Sequence, residues 1–173
     1  MKTIGLLGGM SWESTVHYYQ IINEEVQNKL GGLHSAKIVL YSVEFSEIEQ
    51  YQFNDQWEKC AELLGEAAKC LETAGADFIL ICTNTIHKVA PQIASAIQIP
   101  MIHIADATAD ELEKYGIGRV ELLGTKYTMQ DFYKNRLTDR GIDVLIRQSD
   151  VSIPVFDTTV IHAKKAVQIA MSE

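Results

Sequence analysis

Two hydrophobic rhythms alternate along the chain. Short apolar runs the length of a buried strand are followed by stretches in which apolar residues recur every three or four positions, the period of a helix face. Thr3 to Leu7 is such a run, and Gly8-Gly9 ends it. Ser11 or Ser14 can then cap a helix with Glu13 in its first turn, and Val16, Tyr19, Ile22 and Val26 keep helical spacing up to Gly31-Gly32. Lys37 to Val43 predicts a second strand, and Glu44 to Tyr51 a polar connection. From Trp57 onward Cys60, Ala61, Leu64, Ala67, Ala68, Leu71 and Ala74 predict an amphipathic helix closed by Gly75, with Cys60 and Cys70 as small core residues. Ala76 to Ile81 is continuously apolar, as expected of a strand covered on both faces.

The alternation continues. Strands are predicted over 99–104, 119–123, 142–146 and 153–156, and helices over 107–115, 129–139 and 159–171. Strand followed by helix, repeated, predicts an α/β fold with open, doubly wound parallel sheets. Two internal echoes divide it. Leu6-Leu7-Gly8 precedes a helix with Tyr18-Tyr19, and Leu122-Leu123-Gly124 one with Phe132-Tyr133; Ile99-Pro100 leads to Asp106-Ala107-Thr108, and Ile153-Pro154 to Asp157-Thr158-Thr159. The expected organisation is therefore two pseudo-symmetric domains. The first spans 1–98, an abbreviated or incomplete second one spans 99–152, and a strand and helix over 153–173 pack back on the first. Gly8 stands 92 positions before Pro100, but Gly124 only 30 before Pro154. Either the second half is abbreviated or about 60 residues are absent between about Ile146 and Ser149, where no helical return follows Val144-Leu145-Ile146. The second alternative is favoured.

Composition narrows the function classes. With 47% hydrophobic and 22% charged residues the chain can bury a core. Fifteen basic against 23 acidic residues give a net charge of −8, which opposes nucleic-acid backbones. No apolar run is long enough to span a bilayer, and no signal-peptide pattern follows Met1, so a cytoplasmic location without membrane partners is expected. Three cysteines, Cys60, Cys70 and Cys82, form neither a disulfide framework nor a CxxC pair, and the five histidines show no metal-ligand spacing.

Candidate chemistry gathers where strands end. Cys82-Thr83-Asn84-Thr85 follows a buried strand directly, at the sheet edge where open α/β folds bind ligands. Its hydroxyl and amide groups suit a carboxylate and can cap the next helix, whose N-terminal field would lower the thiol pKa. A reactive thiol and a small core residue before a turn remain alternatives there. Gly8-Gly9-Met10-Ser11 and Gly124-Thr125-Lys126-Tyr127-Thr128 offer backbone amides and hydroxyls to an anion, with a plain tight turn as the alternative for each. His87 is expected on a helix surface, the alternative being a group that orients or protonates a ligand. His162 reads as structural.

Together, Gly8 to Ser14, Cys82 to Thr85, Leu123 to Met129 and the closing Pro154 to Thr158 resemble the aspartate/glutamate racemase family, particularly its bacterial broad-specificity aspartate/glutamate racemase branch. The resemblance implies a racemase without pyridoxal phosphate or metal, acting on an amino dicarboxylate and usually dimeric. Two thiols there face each other across the substrate α-carbon, one removing the proton and the other supplying one to the opposite face. By position the resemblance makes Cys82 the first catalytic thiol and Met10, Ser11, Thr83, Asn84, Thr85, Thr125, Tyr127 and Thr128 the substrate-holding residues. The family's second box, glycine-cysteine-threonine-glutamate, is absent from this sequence. The alternatives are a catalytically impaired carboxylate-binding relative, or another superfamily enzyme such as a hydantoin racemase, maleate isomerase or decarboxylase.

Overall fold

The computed structural model describes residues 1–122, 131–145 and 156–172. Strands β1 (Ile4–Gly8), β2 (Ile38–Ser42), β3 (Phe78–Ile81) and β4 (Met101–Ile102) form one parallel sheet in the order β2-β1-β3-β4. β1 and β3, buried along their whole length, are its centre, and the register sets Ile4 beside Phe78 and Leu7 beside Ile81. Strands that connect outward to opposite sides from such a centre leave a crevice at their carboxyl ends, the topological switch point of an open sheet. The sheet extends past position 98, because β4 pairs with β3 through Ile79↔Met101 and Leu80↔Ile102.

Alternating side chains of the central strands feed two cores. Leu7, Ile79 and Ile81 pack with Leu64, Ala68 and Leu71 of the helix α3 (Trp57–Thr73). Ile4, Leu6, Phe78, Leu80 and Cys82 pack on the other face with Tyr18, Ile22 and Val26 of α1 (Trp12–Leu30) and with Ala163, Ala166, Val167 and Ala170 of the C-terminal helix (Thr158–Met171). Each large side chain so buried contributes about 1.5–3 kcal/mol, so these faces hold the helices in place.

Several expectations need correction. The buried face of α1 is Thr15, Tyr18, Ile22 and Val26, whereas Val16 and Tyr19 are both half exposed. The segment 44–51 is not a polar connection but enters α2 (Phe45–Phe53), because the Glu44 carboxylate accepts from the amides of Ser46 and Glu47 and Ile48 is fully buried. Cys70 is exposed on α3, off the face that carries Cys60. Beyond β3 lie a 3₁₀ turn (Thr85–Val89) and the short α4 (Ala90–Ser95).

After β4, α5 (Ile104–Lys114) starts three residues earlier than its periodicity suggests, because His103 caps it with Nδ1 accepting from the Ala105 amide. β5 (Arg119–Glu121), α6 (Asp131–Thr138) and β6 (Asp143–Leu145) follow. β5 and β6 form a separate parallel pair, a second strand–helix–strand unit like β1–α1–β2. Helix α7 (Thr158–Met171), capped by Asp157, packs against both α1 and α5. Among the described residues no helix is long and apolar enough to cross a membrane. The predicted strand over 153–156 lies outside the described residues, apart from Phe156.

Candidate functional site

The switch point is built by two strand ends. The Cys82 amide donates to the Leu7 carbonyl at 2.9 Å, which aligns the chain leaving β3 with the glycines leaving β1. At Gly8 a Cβ would lie 2.5 Å from Thr15 Cγ2, and Gly9 adopts φ +96° against the backbone of Val43. Thr15 closes this turn, its hydroxyl oxygen accepting from the Gly9 amide at 2.9 Å and donating to the Ser11 carbonyl at 3.1 Å. Ser11 caps α1, and the Ser14 hydroxyl donates to the Cys82 carbonyl at 2.9 Å, tying the two loops together. The Met10 side chain, by contrast, is buried in the core on the α3 side of the sheet.

Cys82 is 1% exposed and points into the α1/α7 core. Burial pushes its thiol pKa upward, so the resting group is an S–H. The expected lowering by a helix N-terminus is not found: the following segment is a 3₁₀ turn, and Asn84 at its start makes no side-chain cap. Cys60 lies in the core on the opposite sheet face, where its S–H donates to the Ile48 carbonyl at 3.8 Å. Neither it nor exposed Cys70 can face a ligand jointly with Cys82.

The three residues after Cys82 are partly buried. The Thr83 carbonyl accepts from His87 Nδ1 at 2.8 Å, and Thr85 opens the 3₁₀ turn. Asn84 Nδ2 donates to the Thr158 hydroxyl at 3.3 Å, linking the loop to the first residue of α7. The Tyr133 phenol on α6 meets the Thr108 hydroxyl of α5 at 3.1 Å. Burial raises the Tyr133 pKa to about 12, so the phenol keeps its proton.

Below this network lies a group of buried imidazoles. His87 is 1% exposed rather than on a surface, with its ring 4.5 Å from that of His103 and 5.6 Å from that of His162. His162 Nε2 contacts the Ile102 carbonyl at 2.8 Å and so carries the proton; Nδ1 is then an acceptor for the Tyr18 hydroxyl, also at 2.8 Å. Burial lowers all three pKa values, His103 and His162 to about 4, with the neighbouring Arg136 a second cause at His103 and the other two histidines at His87.

Sequence periodicity did not single out Tyr18, Thr108, Tyr133 or Thr158. The signal was nevertheless present, because both internal echoes contain these positions. Thr125, Tyr127 and Thr128 lie outside the described residues. Among the described residues no three His, Cys, Asp or Glu side chains are grouped to hold a metal. A groove of about 330 Å³ between α5 and α7 is lined by none of the Cys82 loop. Its lysines are paired, Lys165 with Asp110 at 2.5 Å, Lys114 with Glu111 at 2.7 Å and Lys164 with Glu25 at 4.0 Å.

Comparison with known proteins gives a consistent result. The model of the Asp/Glu/Hydantoin racemase family matches residues 7–166. A broad specificity amino-acid racemase, RacX of Bacillus subtilis (strain 168), is 28% identical over 146 residues. That match takes in 82% of this chain but 63% of RacX, so the chain spans under two thirds of that curated relative's length. The crystal structure of a "putative Asp/Glu Racemase" from Yersinia pestis superposes with a TM-score of 0.93 at 42% identity, over 99% of this chain and 100% of that one. An aspartate racemase homologue from Pyrococcus horikoshii OT3 gives 0.91 at 29% identity, over 99% and 100%.

Proposed function

Because the chain belongs to the Asp/Glu/Hydantoin racemase family, we propose that it provides the Cys82 half of an amino-acid racemase site for aspartate or glutamate. The observation that carries this reading is one buried thiol at the β1/β3 switch point, flanked by a glycine turn and a hydroxyl-amide loop. Racemisation requires an acid and a base on opposite faces of the α-carbon. With Cys82 resting as S–H, a second thiol, as thiolate, takes the α-proton from the opposite face and Cys82 S–H gives its proton to the resulting carbanion. This leaves Cys82 as the thiolate that takes the α-proton in the reverse direction. Ser11, Thr83, Asn84 and Thr85 hold the substrate, together with Thr125, Tyr127 and Thr128; Met10 contributes through its backbone, since its side chain is committed to the core.

Neither Cys60 nor Cys70 can be the second thiol. In this proposal it belongs to a segment of the second domain that is not in this sequence; the first domain, expected over 1–98, also takes in β4 of its sheet, the second follows up to 152, and 153–173 return to the first. The reaction proceeds without pyridoxal phosphate or metal, in the cytoplasm, and in a homodimer. A second reading, carboxylate binding without turnover, is supported by the single thiol near the site. Chiral chromatography of L-aspartate and L-glutamate incubated with the full-length gene product, without added cofactor, separates the two. The D-isomer should accumulate toward an equal mixture. Substrate that stays enantiopure through prolonged incubation would leave only the binding reading, and an intact mass above 19.4 kDa would identify the additional segment.

A further inference from the structure

The sheet ends at β2, whose one strand partner among the described residues is β1. The Ile4 amide donates to the Lys37 carbonyl and the Val43 amide to the Gly8 carbonyl, so the odd-numbered residues of this segment aim their backbone groups at β1. Ile38, Leu40 and Ser42 therefore turn theirs outward. An open edge is ordinarily protected by a charge, a proline or a bulge. Ile38–Ser42 holds neither charge nor proline, and its register with β1 is unbroken.

Helix α1 adds an apolar flank beside that edge. Its buried face is Thr15, Tyr18, Ile22 and Val26. On one side of this face Glu25 pairs with Lys164 of α7; on the other, at helical spacing, lie Trp12, Val16, Tyr19 and Asn23. Asn23 Oδ1 accepts from the amide of Ala36, two residues before β2, so this flank looks toward the edge. Trp12 is 63% exposed, Val16 and Tyr19 are 52%, and Leu40, on the same sheet face as Ile38, is 45%. None of these residues is charged, in a chain whose net charge is −8.

We propose that the β2 edge and the α1 flank are the contact of a two-fold homodimer in which the strand pairs antiparallel with itself about Leu40. The outward residues are spaced symmetrically about Leu40, so one register pairs all of them. Leu40 meets its own counterpart, Ile38 meets Ser42, and the two α1 flanks lie side by side on one face of a continuous sheet. Like net charges oppose association, and an uncharged contact is where two such chains can approach. The exposed parts of Trp12, Val16, Tyr19 and Leu40 come to roughly 400 Å² per copy. With the strand edges added, two copies bury about 1,000 Å², enough for a specific interface. This surface rests on the homodimer proposed above and specifies how it forms.

Sedimentation of the full-length gene product, set against the mass of its denatured chain, should show two chains. Leu40→Lys places like charges opposite each other at the two-fold, and Tyr19→Glu does so between the helices. Each should raise the dimer dissociation constant by roughly tenfold or more. Tyr115→Lys, at an exposed aromatic that ends α5 beyond the opposite edge of the sheet, should leave it unchanged. In a Cys70→Ser background, mild oxidation of Leu40→Cys should link two chains, because directly paired residues sit about 5.5 Å apart, whereas Ser42→Cys should not link them. Wild-type dissociation in both charge variants, or equal linking of Leu40→Cys and Ser42→Cys, overturns this surface while leaving a dimer. A native mass of one chain overturns the homodimer as well, assigns the edge to another partner, and leaves the thiol chemistry standing.

Discussion

Gly8 is held without a side chain by Thr15, whose methyl and hydroxyl occupy the space a Cβ would need. The same hydroxyl closes the turn at Gly9, so one side chain both demands the glycine and shapes the loop beside Cys82. Gly8→Ala should therefore lower stability by about 1–3 kcal/mol, the range of an overpacked core. Urea unfolding checks this, with Gly118→Ala as the reference, since a Cβ there meets nothing within 4 Å. Equal midpoints for the two variants would show that the turn yields. At this scale the glycines and Cys82 were legible in the sequence, and the polar core was not. Apolar spacing put Val16 and Tyr19 inside, yet Thr15 and Tyr18 are buried because their hydroxyls are paired, with the Gly8-Gly9 turn and with His162. A paired hydroxyl no longer bears the desolvation penalty that makes it look like a surface residue.

Elements meet at the three imidazoles. His87 comes from the 3₁₀ turn after Cys82, His103 from the cap of α5 and His162 from α7, and they fill the junction between the first sheet and the helices beyond it. His103 is also close to the Arg136–Asp106 ion pair, which joins α6 to α5. An imidazole in an unfolded chain takes up its proton near pH 6.5. In the fold, burial delays this to about 4 at His103 and His162. Between these values the unfolded chain binds more protons, so the stabilisation is complete above about pH 6.5 and is lost as the pH falls toward 4. For His162 the loss amounts to about 3 kcal/mol, the cost of 6.5 becoming 4. Unfolding free energies measured between pH 7 and pH 4 should fall steeply for the wild type and less steeply for His162→Gln, whose amide can meet both Tyr18 and Ile102. An identical slope in the variant would remove His162 from the acid response.

Most long elements followed from periodicity, because α1, α3 and α7 each bury one face at helical spacing, with Thr15 on α1 and His162 on α7 as its polar members. The short ones did not: α2 and α4 expose most of their surface, and a capping carboxylate or a proline near the helix start defines them more than any apolar pattern. The cap of α5 was hidden for a related reason, since a histidine does the work usually read from serine or aspartate.

For the whole molecule, two strand–helix–strand units explain why the internal echoes exist. The first unit is completed by α3, β3 and β4 into a four-stranded sheet with a switch point; the second is the β5–β6 pair with α6. Helix α7 lies against α1 and α5, and through Thr158 it reaches the Cys82 loop, so the end of the described chain helps to form a site whose thiol lies near its middle. The echo of Asp106-Ala107-Thr108 in Asp157-Thr158-Thr159 was visible in sequence, but only folding shows Thr108 meeting Tyr133 and Thr158 meeting Asn84. Local patterns report which face of an element is buried; they do not report which distant side chain a hydroxyl meets. The location of Cys82 is the opposite case, fixed by a rule of open sheets that needs only strand order.

The central claim is that Cys82 exchanges a proton with an amino-acid α-carbon, and loss of the α-proton NMR signal in D₂O tests it most directly. One thiol suffices to exchange one face, so the wild-type protein, given the L- and D-forms of aspartate and glutamate separately, should replace the α-proton of at least one by deuterium. Cys82→Ala, folded by circular dichroism, should abolish the exchange. A wild type that leaves every α-proton in place, or a Cys82→Ala variant that exchanges at the wild-type rate, would contradict the account.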